Sequence, residues 1–149
     1  MQGLMIYPVL SDEAYTIILN RCKKPEWKNK YGYKFVHYIM LNDVFVGLIV
    51  YDFIRVGSLS IQVDMLEVFK EYRNQGIGSA VLCKLMTDTG ASVIFGQVGK
   101  SAVPFLEHIG AVVKVKKTGQ ILNDGTVLVP YTLAYRRLIT YRNKVPVLV

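Results

Sequence analysis

Val68-Phe69-Lys70-Glu71-Tyr72-Arg73-Asn74-Gln75-Gly76-Ile77-Gly78-Ser79 is the stretch on which the fold turns. Upstream of it, Leu59 to Val68 alternates as a half-buried strand does, with Ile61, Val63 and Met65 set against Gln62, Asp64 and Leu66. Downstream, Ile77, Val81, Leu82, Leu85 and Met86 recur at helical spacing. Between strand and helix, two glycines two apart let backbone N–H groups converge without Cβ obstruction. At a helix N-terminus those donors and the helix dipole suit a phosphate or pyrophosphate, and Lys70 and Arg73 add charge beside them. The same glycines also permit an ordinary capping turn, so the loop needs its context.

Before the loop, Leu4 to Leu10 reads as a first strand, and Pro8 places it near an edge. Ser11 caps a helix opened by Asp12 and Glu13 and running to about Cys22. Residues 23–30 are basic and broken by Pro25, a short helix or a loop. Lys34 to Leu41 and Val44 to Ile54 are strands joined at the hairpin candidate Asn42-Asp43, and Gly57-Ser58 marks the next turn. After the loop, Ala91 to Phe95 is a buried strand, Ser101 caps a helix with Pro104 in its first turn, and Gly110 ends it. Two last strands, about Ala111 to Lys117 and Thr126 to Ile139, flank the turn Asn123-Asp124-Gly125, and a basic, then apolar tail follows from Tyr141. The order β-α-(α)-β-β-β-α-β-α-β-β predicts an α/β class, a central mixed sheet flanked by helices, in a single domain over 1–149.

Composition excludes several other readings. With 149 residues, 52% hydrophobic, ten tyrosines and six phenylalanines, the chain is too apolar for disorder. Its longest apolar stretch, Val44 to Tyr51, is far short of the roughly 20 residues a spanning helix needs, so no membrane partner is expected. Residues 1–10 lack a positive n-region and a small-residue cleavage site, which argues for a cytoplasmic protein. Cys22 and Cys83 are too few for a disulfide framework, and they stand in no ligand spacing with His37 and His108, so no metal is expected. Eighteen basic residues against eleven acidic ones give a net charge of +7 and imply an anionic partner, which can be a nucleic acid, a membrane surface or a phosphorylated cofactor.

The loop resembles the acyl-CoA-binding motif of the GNAT N-acetyltransferase superfamily, Arg/Gln-x-x-Gly-x-Gly/Ala, filled here by Arg73, Gly76 and Gly78. The element order is also that family's, and Ala102 to Ala111 looks like its fourth helix and the turn after it. The resemblance implies a bulged fourth strand splayed from the fifth, with a slot for the pantetheine arm of acetyl-CoA. It would make the Leu66 N–H an oxyanion donor and pair the Val68 backbone with the pantetheine amide. The N–H groups of Asn74, Gln75, Gly76, Ile77, Gly78 and Ser79 would hold the pyrophosphate, and Ser101 would touch the cofactor. The implied reaction is direct attack of an amine, on a small molecule or a protein, upon acetyl-CoA. The resemblance also implies a general base on the substrate side of the fourth strand, at positions that fall here at Gln62 and Asp64. Gln62 cannot take a proton, so Asp64 is the candidate base, with Glu67 second. The family's usual Tyr acid falls at Leu106 and its helix-opening Asn is replaced by Gly99-Lys100-Ser101, with Tyr72 and Tyr131 as possible substitutes for the acid. That departure leaves open a degenerate member that binds coenzyme A or a macromolecule without turnover. The short length also resembles small phage-encoded members of the family, acting in a host cytoplasm as monomer or homodimer.

Other features carry less. Gly99-Lys100-Ser101 lacks the glycine five residues before it that a P-loop needs. Cys83 lies among Val81, Leu82 and Leu85, as a structural thiol does. Lys23, Lys24, Lys28, Lys30 and Lys34 form a solvated face or meet an anion, the 3′-phosphate of coenzyme A included. Nucleic acid remains a possible but unfavoured partner, because most tyrosines fall in strand runs.

Overall fold

The computed structural model describes residues 1–21, 35–56, 58–116, 119–122 and 124–144. Seven strands form one sheet in the order β1-β2-β3-β4-β5-β7-β6. They are β1 (Leu4–Pro8), β2 (Val36–Leu41), β3 (Val44–Val56), β4 (Ser58–Val68), β5 (Val93–Val98), β6 (Val112–Val113) and β7 (Val129–Ala134). The helices are α1 (Asp12–Asn20), α2 (Ile77–Thr89), α3 (Val103–His108) and α4 (Tyr135–Lys144). Among the described strands only β4 and β5 are parallel neighbours, and α2 is the crossover such a pair requires.

Local chemistry sets the boundaries. Ser11 Oγ accepts the Ala14 N–H at 3.1 Å, the expected N-cap of α1. Asn42 and Asp43 take φ of 49° and 65°, the left-handed pair that a two-residue primed turn demands, so Leu41 pairs directly with Val44. Two cores then cover the two faces of the sheet. Val36, Leu48, Val50, Met65 and Phe69 pack with Val9 and with Ile18 of α1 on one face. Ile39, Ile49, Ile61, Val63, Ile94 and Leu133 meet Val81 and Leu85 of α2, Leu106 of α3 and Leu138 of α4 on the other. Each such side chain contributes about 1.5–3 kcal/mol by leaving water.

One irregularity positions the site. Val50 pairs with Met65 but Tyr51 pairs with Val63, which leaves Asp64 as an extra residue in β4. A one-residue slip reverses the faces beyond it. Met65 therefore turns to the α1 core, away from Ile61 and Val63, and the regular alternation expected of Ile61, Val63 and Met65 breaks at Asp64. Leu66 and Val68 come back to the α2 face. The β4–β5 pairing runs from Ser60–Val93 to Val63–Gly96 and stops there, although β4 continues to Val68 and β5 to Val98. Past Val63 the two strands part, as the expected splay requires.

Three expectations need correction. The last strand ends at Ala134 rather than Ile139, because Tyr135, Leu138 and Tyr141 recur every three residues and turn one helical face onto the α2 core. Tyr141 therefore lies in α4, not in a tail, and residues 145–149 lie outside the described residues. The strand expected over Ala111 to Lys117 shrinks to Val112–Val113, held by β7, with Lys117 outside the described residues. Ser101 does not cap α3: a 3-10 turn over Lys100–Ala102 intervenes, closed by Ala102 N–H to Gly99 O at 3.1 Å, and Ala102 takes the cap position. The basic segment 23–34, with the lysine cluster and Cys22, lies outside the described residues, as does Gly57.

Candidate active site

The loop after β4 is built as its glycines suggest. Asn74 and Gly76 take φ of 63° and 76°, and Gly76 is the N-cap of α2 with no side chain closing the helix end. A Cβ on Gly76 would meet nothing within 4 Å, so the position opens outward. The first helical bond runs from Ala80 N–H to Gly76 O at 3.1 Å, which leaves the N–H groups of Ile77, Gly78 and Ser79 without helical acceptors. Asn74, Gln75 and Gly76 are exposed, whereas Ile77 and Ser79 are buried. Arg73 donates from Nε to Val68 O at 2.8 Å and ties the loop to the end of β4. Ser79 Oγ donates to Gly76 O at 3.2 Å and accepts from Arg142 of α4 at 3.0 Å.

The open wedge beyond Val63 exposes backbone. Phe69 N–H bonds Val46 O at 2.9 Å, so the Val68–Gly47 and Leu66–Ile49 pairs are the ones that exchange no hydrogen bonds with each other. The N–H and C=O of Leu66 and Val68 therefore point away from β3, toward the gap. Val68 O is already taken by Arg73, which leaves its N–H facing the wedge.

Two cavities meet at that gap. The first, of about 100 Å³, is walled by Val63, Leu66, Leu82, Val98, Phe105 and Leu106 on the α2–α3 side. The second, of about 380 Å³, is bounded by Gln62, Phe95, Gln120, Leu128, Pro130 and Thr132. Gln62, Phe95 and Thr132 are register partners across β4, β5 and β7, which puts this cavity on the opposite face of the sheet. Asp64, Gln97 and Tyr131 line both.

These shared residues differ in chemistry. Asp64 is exposed, and its Oδ1 accepts from Gln62 Nε2 at 2.9 Å. Gln97 Oε1 accepts the Gln120 N–H. Tyr131 starts on β7 and lies across β5 at Gly96, where a Cβ would stand 3.0 Å from its ring and its hydroxyl and against the Val63 carbonyl. Burial, and then the charge of Asp64, push the Tyr131 phenol well above its usual range, so it stays protonated.

The remaining candidates separate. Glu67 pairs with Leu48 and shares the α1 face, turned from the wedge that Leu66 and Val68 face, and it lines neither cavity. Ser101 is exposed in its 3-10 turn and also lines neither. Tyr72 packs between the two cores, away from both cavities. His37 stacks on Tyr51 with ring centroids 4.3 Å apart, and burial lowers its pKa. His108 sits edge-on to Tyr141, and Cys83 is a free, half-buried thiol against the core. No three His, Cys, Asp or Glu side chains gather among the described residues, and no helix there is long and apolar enough to cross a membrane. Sequence reasoning missed Gly96, Gln97 and Arg142. Arg142 was hidden because residues 135–139 read as strand.

The profile of the Acetyltransferase (GNAT) family matches residues 6–110. The chain belongs to that family. No curated protein sequence matches it. Among solved structures, Arabidopsis thaliana Naa50 in complex with a bisubstrate analogue, CoA-Ac-MVNAL, superposes with a TM-score of 0.66 at 18% identity, covering 89% of this chain and 99% of the other. A GNAT acetyltransferase from Elizabethkingia anophelis with acetyl-CoA bound gives 0.59 at 16% identity, covering 90% and 99%. A spermidine N-acetyltransferase SpeG chimera from Vibrio cholerae and hSSAT gives 0.67 at 13%, covering 96% and 100%. At such identities the likeness is one of fold. Within this GNAT chain, β4, its bulge, the glycine loop and α3 all lie inside the matched span, whereas β7 and α4, with Tyr131 and Arg142, lie beyond it.

Proposed function

We propose that this chain transfers the acetyl group of acetyl-CoA to an amine by direct attack. The observation that carries the reading is the bulge at Asp64 with the wedge behind it, which joins two cavities on opposite faces of the sheet at one carboxylate. Such a gap admits a donor from one side and an acceptor from the other. The residues fit the donor: the outward-open Gly76 and the free N–H groups of Ile77, Gly78 and Ser79 suit the pyrophosphate, and the backbone of Leu66 and Val68 suits the pantetheine arm. When bound, acetyl-CoA supplies an activated carbonyl with a thiol leaving group. Leu66 N–H stabilises the charge that develops on the carbonyl oxygen. An aliphatic amine, of pKa about 10.4, must lose a proton before it attacks. Asp64 takes that proton, directly or through water, and Gln62 holds the carboxylate toward the second cavity.

Among the described residues, Asp64 is the single carboxylate lining the acceptor cavity, beside amides and the apolar Phe95, Leu128 and Pro130. That lining favours an acceptor with one amine over a polycation, which would need several acids. Release of thiol from acetyl-CoA over a panel of amino-terminal peptides, monoamines and polyamines tests the reading. We expect turnover with a monoamine class that falls at least tenfold in Asp64→Ala, while equal, buffer-level release throughout would oppose it. Leu106, apolar at the wall where a proton donor would be useful, favours a second reading, binding of coenzyme A without turnover. Acetyl-CoA binding combined with buffer-level release would favour that one.

A further inference from the structure

A cation stands where the fold supplies no anion. The helix α4 is held on the core by Leu138, wholly buried, and by Tyr141, whose ring meets His108 edge-on with centroids 5.1 Å apart. One residue on, the half-buried Arg142 reaches the first turn of α2 and donates from Nη1 to Ser79 Oγ at 3.0 Å. That turn is the positive end of the α2 dipole and carries no acidic residue. Ser79 is neutral, and its own hydroxyl proton goes to Gly76 O. Among the described residues the ion pairs are Arg21–Glu71 and Lys84–Asp88, so Arg142 has no carboxylate partner there. A guanidinium beside a helix N-terminus is opposed by the dipole unless an anion lies between them.

We propose that Arg142 is a side-chain ligand of the donor's pyrophosphate, so that the C-terminal helix forms part of the donor site, an inference that rests on the acetyl-CoA reading above. Ser79 carries one of the three N–H groups left free at the helix end, so the free donors and the unpaired cation converge on one place. The guanidinium has five N–H donors in a planar fork, and it can keep its bond to Ser79 while others take phosphate oxygens. Arg73, the motif's own arginine, is exposed, and its Nε is committed to Val68 O, where it ties the loop to β4. Arg142 lies beyond the matched span, which ends at residue 110, so this contact is an addition of α4 to the loop rather than a part of the motif.

The test is calorimetric and needs no acceptor. Coenzyme A and dephospho-coenzyme A, which keeps the pyrophosphate but lacks the 3′-phosphate, are titrated into wild-type protein and Arg142→Gln at about 0.1 M and about 1 M salt, where charges are screened over about 10 Å and about 3 Å. Glutamine can still donate to Ser79 but carries no charge, and Arg142→Met carries the same comparison should that variant fail to fold. Both ligands should bind at least about tenfold more weakly to the variant at low salt. Because Asn74, Gln75 and Gly76 leave the cradle open to solvent, that loss should shrink by about threefold or more at high salt. An equal loss at both salts would assign Arg142 to holding α4 on Ser79 and overturn the contact. A loss confined to coenzyme A would place the contact at the 3′-phosphate and overturn the pyrophosphate assignment. Unchanged affinity would overturn any contact, and all three results leave the acetyl-CoA reading intact. Absence of binding by either ligand to the wild-type protein overturns that reading, and this inference with it.

Discussion

Alanine at Gly96 adds one methyl where three strands depend on there being none. The new Cβ presses against the Val63 carbonyl oxygen and lies 3.0 Å from the Tyr131 ring. A ring at the end of a side chain can swing aside, but a carbonyl in a paired strand cannot, so β5 must move from β4 or Tyr131 must leave the wedge. In an ordinary strand interior, removing glycine gains about 0.5–1 kcal/mol. Overpacking costs about 1–3 kcal/mol, and the backbone contact places this site toward the upper part of that range. The net is a loss of about 1–2 kcal/mol, or about 2–8 °C in Tm for a chain of this size. Thermal melts followed by circular dichroism measure it. Gly99→Ala is the control, since its Cβ meets nothing within 4 Å, and that variant should melt at or slightly above wild type. A Gly96→Ala protein that melts as high as Gly99→Ala would refute the reasoning, because the close crossing of Tyr131 over β5 would then constrain nothing.

Other changes have equally definite outcomes. Gly76→Asp forces a left-handed φ of 76° on a side chain and sets a negative charge at the open helix end, so acetyl-CoA affinity measured by calorimetry should fall at least tenfold. Asp64→Asn keeps the Gln62 contact geometry but takes no proton, and kcat should fall about 10²–10⁴-fold with acetyl-CoA affinity retained. Burial holds the folded-state pKa of His37 below 6.5, so the unfolded chain binds the proton first as pH falls. Stability should then be flat above about pH 7 and decline through about pH 6 and below, and urea melts of His37→Gln should show a shallower decline. Ser11→Ala removes the cap on Ala14 N–H and should cost about 0.5–2 kcal/mol in the same melts.

What the sequence made legible follows from how local each signal is. Ser11, Asn42-Asp43 and Gly76 act through their own backbone and a neighbour three or four residues away, so the cap, the hairpin and the open helix end could be read without a structure. The order of elements around the loop followed from alternation giving way to helical spacing at Gly76, whereas the parallel pairing of β4 with β5 across α2 did not. The bulge at Asp64 is different in kind. Its alternation with Val63 and Met65 looks regular, so the resemblance implied a bulge somewhere in that strand and only pairing with Tyr51 and Val50 on β3 places the extra residue. Glu67 stood second to Asp64 as a base, and the face it takes is decided by the bulge three residues earlier. Residues 135–139 read as strand because Tyr135 and Ile139 carry high strand propensity, and burial of one helical face against α2 overrides it. With α4 misread, neither Arg142 beside Ser79 nor the full reach of the basic C-terminal residues could be placed. The crossing of Tyr131 over Gly96 joins residues 35 positions apart and has no local signature.

Acetyl-CoA titrated into the 149-residue chain in a calorimeter tests the central claim most directly. The account predicts saturable heat at one site per chain, with a Kd between about 1 μM and 1 mM, the range in which enzymes meet their substrates. No heat of binding up to about 1 mM ligand would contradict it.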